Sequence, residues 1–186
     1  MSGAVACVAA SGGGGVEGVT SVDDEAGEDA EYPGGPYGKE PGEVFPRMTF
    51  VDAAGAVVDL ANDYEADHRV RVLFATTAWC SPCVPDAEYL HQQMDGAFAG
   101  SRAYGLLLED VHGGAARAED AAAFNLELTS FEFLADPGKA MEGVFSVAAA
   151  YPRVVVLSTQ EMRIVYIGTG HDMDAVVDGI ESVEGS

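Results

Sequence analysis

The sequence predicts an α/β fold, a central mixed β-sheet flanked by helices on both faces, and three observations carry that expectation. Residues 69–76 and 104–108 read as buried strands on either side of an amphipathic helical stretch, the pattern of a parallel crossover. Residues 154–157 and 162–167 are two further strands joined by only Ser158-Thr159-Gln160-Glu161, a link too short for anything but antiparallel neighbours. A last amphipathic segment, with Met173, Val176, Val177, Ile180 and Val183 as its apolar stripe, closes the chain as a helix that begins at Asp172 or Asp174.

The remaining elements follow in order. Residues 1–47 hold 11 of the 23 glycines, 4 of the 8 prolines and 9 of the 31 acids, a composition that cannot bury enough apolar surface to offset chain entropy. Residues 1–43 are therefore expected to form a flexible acidic leader or tether, and 44–186 the folded domain. An N-terminal β-hairpin opens the domain: 48–52 alternates like a strand, and 53–56 turns into a second strand at 57–60. After the strand at 69–76, Val84, Ala87, Leu90, Met94 and Phe98 recur at helical spacing over 81–98. The alanine-rich stretch 114–125 reads as a second helix. Residues 131–134 form a short strand that ends at the turn Ala135-Asp136-Pro137-Gly138, and a third helix is expected near 139–146.

Charge excludes some functions. The 186 residues carry a formal charge of −22, which repels phosphate backbones and anionic lipid head groups, so nucleic acid is not a partner. No apolar run approaches the roughly 18 to 20 residues that span a bilayer. A lysine-poor acidic surface suits basic or neutral partner peptides.

Chemistry concentrates at Ala78-Trp79-Cys80-Ser81-Pro82-Cys83, at the end of a buried strand and the mouth of a helix. Two cysteines three apart at such a turn can close a small disulfide, and a helix N-terminus favours thiolate over thiol at the first. Cys80 would then attack and Cys83 resolve the mixed disulfide. A zinc or copper site, or an inert pair, is the alternative. Zinc needs a second pair of ligands, and His68, His91, His112 and His171 lack ligand spacing.

Trp79-Cys80-Ser81-Pro82-Cys83 resembles the active site of the thioredoxin superfamily, and its surroundings are most similar to the TlpA/ResA-type extracytoplasmic thiol-disulfide oxidoreductases of bacteria. The similarity runs from about Pro41 to Val183 and includes 45–52 with Gly55 and Leu60, 74–80, Asp136-Pro137 and the Tyr151-Pro152 step. The resemblance implies a thioredoxin-like fold and a protein-disulfide oxidoreductase with no cofactor beyond the Cys80–Cys83 disulfide and no metal. It implies protein thiols or disulfides and an upstream electron donor as partners, a monomer, and a periplasmic or membrane-tethered location, with a cytoplasmic one as the alternative. Pro152 falls where the family keeps a cis-proline facing the disulfide, a trans proline opening a strand being the alternative. Tyr151 and Trp79 would touch the substrate.

The chain departs from the family's pattern in ways that bear on chemistry. Phe74 stands where thioredoxins have a buried aspartate, so proton transfer at the resolving thiol passes to Asp86, which matches the acid of the TlpA/ResA-type branch and lies at i+3 from Cys83. A solvated surface acid is the alternative. Val84 replaces a basic residue, and Pro85 is earlier than the family's helix proline, so the helix begins late and its dipole acts weakly on Cys80. These departures imply a reductant or isomerase rather than a strong oxidase. Two rival functions remain: a peroxiredoxin-like peroxidase, from Thr77-Ala78-Trp79-Cys80, and a Cu(I) chaperone or sensor with His171 as third ligand. Ala4-Val5-Ala6-Cys7 resembles a lipoprotein junction, which would make Cys7 a lipid anchor whose apolar signal is missing from the sequence; an incidental thiol is the other reading.

Overall fold

A computed structural model describes residues 31–64, 66–124, 128–145 and 150–185. Cys7 and most of the leader lie outside them.

The hairpin forms as expected, from β1 (Thr49–Val51) and β2 (Val57–Asp59) in antiparallel register. Its turn has a local cause: Asp52 Oδ1 accepts from the backbone N–H groups of Ala54 and Ala56 at 2.8 Å each, and Gly55 takes φ +86°. β3 (Val70–Thr76) is buried at every position. It pairs in parallel with β4 (Arg102–Leu107), which pairs in parallel with β5 (Phe131–Ala135). On its other side β3 is antiparallel to β6 (Arg153–Ser158), which is antiparallel to β7 (Arg163–Thr169). β1 meets β5, so the sheet has seven strands in the order β2-β1-β5-β4-β3-β6-β7.

α1 (Cys83–Gly96) and α3 (Met173–Glu184) cover one face, where Ala87, Leu90, Met94, Val176 and Ile180 pack on Val72, Phe74, Val154 and Val156. Gly179 of α3 lets the helix approach β7, since a Cβ there would stand 3.1 Å from Tyr166 Cβ. The opposite face is closed by Val44-Phe45 and by two 3-10 turns, Leu60–Asp63 and Ala140–Gly143, over Leu73, Ala75, Leu106 and Val155. Among the described residues no helix is long and apolar enough to cross a membrane.

Three elements differ from expectation. α2 is only Ala118–Ala123, because 109–115 is a turn instead: Asp110 Oδ1 accepts from His112 and Gly114 N–H at 2.7 and 2.9 Å, and Gly113 takes φ +82°. In place of a helix near 139–146, the described residues hold a single 3-10 turn, preceded by Lys139 in the left-handed region at φ 51°. The Asp136 carboxylate caps it, accepting from Ala140 and Met141 N–H at 2.9 Å each. α1 begins at Cys83 rather than Ser81, with Pro85 accommodated in its first turn. Residues 31–43, counted in the leader by composition, lie against the domain: Tyr32 O–H donates to Phe45 O at 2.7 Å, and Gly42 N–H to Ile164 O at 2.7 Å.

A buried ion pair anchors the start of β3. Arg71 donates from Nε and Nη2 to Asp63 at 2.9 and 2.5 Å, its guanidinium lies 3.8 Å from the Tyr104 ring centroid, and His68 Nε2 stands 3.5 Å from Asp63. Burial pushes the Asp63 carboxyl up, but the nearby His68 imidazole and the Arg71 guanidinium outweigh it and hold the group below the usual carboxylate range. A depressed native pKa contributes stability that is present above the unfolded value of about 4 and is lost as pH falls through the native one. Asp63→Asn should therefore cost about 3–5 kcal/mol at pH 7, since Arg71 is left buried without its counter-charge. Urea unfolding across pH 2 to 7 checks both parts: the gap between wild type and variant should shrink as the acid limb is entered.

Candidate functional site

The ends of five strands converge. β3 runs in parallel with β4 and β5, so Thr77, Leu108 and Asp136, which follow them, emerge at one edge of the sheet. The antiparallel pairing of Ala75 with Arg153, and of Arg153 with Thr169, brings the start of β6 and the end of β7 to the same edge. Candidate residues far apart in sequence meet there.

Cys80 and Cys83 are joined by a disulfide and are 5% and 1% exposed. The chain reaches α1 by a tight turn in which Cys80 N–H donates to Thr77 O at 3.1 Å and Cys83 N–H to Cys80 O at 3.0 Å. Cys83 is thus the first residue of α1, and Cys80 precedes the helix. Phe74, the strand position where an acid would otherwise serve the thiols, is buried in the apolar cluster and meets Phe131 edge-on at 5.8 Å.

Trp79 is half exposed beside the disulfide. Its indole N–H donates to Glu109 Oε2 at 2.9 Å, and its ring meets Tyr151 edge-on with centroids 6.0 Å apart. Glu109 Oε1 faces Lys139 Nζ at 3.9 Å, and Lys139 also pairs with Glu142 at 3.0 Å. Burial, then the carboxylates of Glu109 and Glu142, push the Tyr151 phenol up. The bond from Tyr151 to Pro152 is cis, and Pro152 is buried. Thr77 presents a buried hydroxyl without a hydrogen-bond partner among the described residues.

Asp86 lies one helical turn after Cys83, on the edge of the site. Its Oδ2 is buried without a hydrogen-bond partner among the described residues, and His171 Nδ1 stands 3.7 Å away. Burial pushes the carboxyl up, and the His171 imidazole draws it part of the way back. No group of three or more His, Cys, Asp or Glu among the described residues could hold a metal ion.

The structure thus brings together Trp79, Cys80, Cys83, Asp86 and Tyr151-Pro152, all singled out in the sequence. It adds Glu109, Lys139 and Gly170. Glu109 is one acid among 31 and gave no signal except its place just past a strand. Gly170, between a strand and a helix cap, could have been read as a close approach. Its N–H donates to Pro152 O at 2.7 Å, and a Cβ there would meet Pro152 Cγ at 2.3 Å and Met173 Cε at 3.0 Å. Met173 can swing aside, but the proline ring cannot. Gly170→Ala should destabilise the protein by about 1–3 kcal/mol, as overpacking does, and alter Trp79 fluorescence through Tyr151; thermal unfolding and emission spectra provide the check.

No family model and no curated protein sequence matches the chain. Solved structures do. A hypothetical protein from Sinorhizobium meliloti superposes with a TM-score of 0.60 at 21% identity, over 79% of this chain and 86% of that one. The thioredoxin domain of a thiol-disulfide oxidoreductase from Bacteroides vulgatus gives 0.56 at 22%, over 77% and 98%. A thioredoxin-like protein from Aeropyrum pernix gives 0.57 at 18%, over 74% and 89%. The fold is thioredoxin-like.

Proposed function

We propose that the protein is a thiol-disulfide oxidoreductase that exchanges the Cys80–Cys83 pair with protein thiols and disulfides. One observation carries the reading: a disulfide between the turn that follows the central strand and the first residue of α1, at the sheet edge where the Tyr151-Pro152 step starts β6. An extended substrate segment can pair with backbone at such a step, while Trp79 and Tyr151 supply apolar contact on one side.

In the reductive direction, Cys80 thiolate attacks a substrate disulfide and one substrate thiolate leaves. Cys83, deprotonated by Asp86, then attacks Cys80 Sγ, and the second substrate sulfur leaves as the protein disulfide forms. An upstream dithiol donor must restore the pair. Asp86 suits the proton step because burial favours its neutral form, so it holds a proton more readily than a solvated carboxylate.

The direction we assign is reductant or isomerase. Cys80 stands outside α1 and Val84 supplies no cation, so the thiolate gains little stabilisation. Kinship to the TlpA/ResA-type branch, an extracytoplasmic location, a lipid anchor at Cys7 and a monomeric state belong to the same proposal and rest on the resemblance of sequence. For the Cu(I) alternative, the third ligand would be His171, which instead faces Asp86.

Insulin reduction by dithiothreitol tests the activity: the wild type should accelerate precipitation and Cys80→Ser should fall to the uncatalysed rate, whereas equal rates would remove the reading. Equilibration in glutathione buffers tests the direction. A potential below about −180 mV is expected, and one near about −120 mV, that of the strongest oxidants, would reverse the assignment.

A further inference from the structure

The pairing of Asp86 with His171 reaches beyond the acid itself. The two side chains border an open cavity of about 400 Å³ lined also by Tyr89, Asp172, Met173 and Asp174. Tyr89 faces it from α1, His171 from the β7–α3 loop, and Asp172 and Asp174 from the start of α3. Asp172 is engaged as the helix cap, accepting from Ala175 N–H at 3.3 Å. Asp174 and Tyr89 add no positive charge, so His171 is the one base among the described residues that line this cavity.

Geometry separates the roles. Asp86 Oδ2 is shut off from water, while the His171 side chain is 57% exposed and 3.7 Å away. A proton taken up by the buried oxygen therefore has a titratable group beside it that reaches solvent. The His171 backbone is held on both sides: Gly170 N–H bonds Pro152 O at 2.7 Å, and Asp172 N–H bonds Thr169 O at 3.3 Å. The loop that seats the proline thus also sets the imidazole against Asp86.

We propose that His171 relays the proton of the resolving step, taking it from Asp86 and delivering it to water. This rests on the dithiol reading above. With Cys80 bonded to a substrate sulfur, the Cys83 S–H bond breaks and its proton goes to Asp86. The Cys83 thiolate forms the S–S bond to Cys80, and the bond from Cys80 to substrate breaks with its electron pair leaving on the substrate sulfur. The dithiol is oxidised by two electrons and the substrate disulfide reduced. The Asp86 carboxyl passes its proton to His171, the imidazolium releases it to solvent, and the substrate thiolate takes a proton from water. His171 acts through Asp86 and is a positioning residue, not a catalytic one.

Single-turnover oxidation of the reduced protein by a disulfide-bonded peptide, followed by Trp79 fluorescence from pH 5 to 9, tests the relay in wild type, His171→Gln and Asp86→Asn. The wild-type rate should exceed that of His171→Gln across this range. At pH 7 the His171→Gln rate should fall about tenfold, a fraction of the roughly 10²–10⁴ that general acid–base transfer contributes as a whole. Added imidazole should restore His171→Gln but not Asp86→Asn, a rescue that a merely structural role would not show. Rates within twofold of wild type at every pH, or no rescue, would overturn the relay and leave the dithiol reading intact. A wild type that does not exchange at all would overturn both.

Discussion

Every part of the candidate site depends on the central strand being held between unlike neighbours. β3 is buried along its whole length, with a parallel partner on one side and an antiparallel partner on the other. A strand in that position cannot slip by one residue without turning Leu73 and Ala75 out of one core and Val72 and Phe74 out of the other. That fixed register decides which residues stand level with Thr76. The cysteines follow it, the proline precedes its antiparallel partner, and Glu109 follows its parallel partner.

Two aspartates show how the same fold tunes one side-chain type in opposite directions. Asp63 is buried and Asp86 has one carboxyl oxygen buried, and burial alone favours the neutral acid at each. Asp63 is met by a bidentate guanidinium at the closed end of the sheet, so its carboxylate form prevails. Asp86 meets a single imidazole at 3.7 Å and no hydrogen-bond donor, so its neutral form gains. The first arrangement ties two elements together through an ion pair, and the second leaves a buried carboxyl oxygen beside an imidazole.

The density of acids takes on a local meaning at the site. Glu109 and Glu142 hold Lys139 beside Tyr151, and Glu109 also fixes the indole of Trp79. One carboxylate thereby orients the exposed ring next to Cys80 and compensates a cation. The excess of acids becomes, here, a set of positioned contacts.

Much of this was legible in the sequence, because periodicity and turn chemistry are local. The alternation around Gly55, the apolar run of β3, the stripe of α3 and the Cys80/Cys83 spacing each read out a feature set within a few residues. Where side chains competed with the helix for backbone N–H groups, the reading went astray: Asp110 and Gly113 drew 109–115 into a turn, and the Asp136 carboxylate with Lys139 shaped a 3-10 turn in place of a helix. Composition likewise counted 31–43 with the leader, since the bonds from the Tyr32 hydroxyl to Phe45 O and from Gly42 N–H to Ile164 O leave no trace in overall composition. The sequence by itself determined the class of fold, the spacing of Cys80 and Cys83 and the acid that follows them, because spacing along the chain is a local property. Only the tertiary structure decided that Gly170 seats Pro152, that Glu109 holds Trp79 and that His171 faces Asp86, because those contacts join segments 18 to 85 residues apart through the register of the sheet.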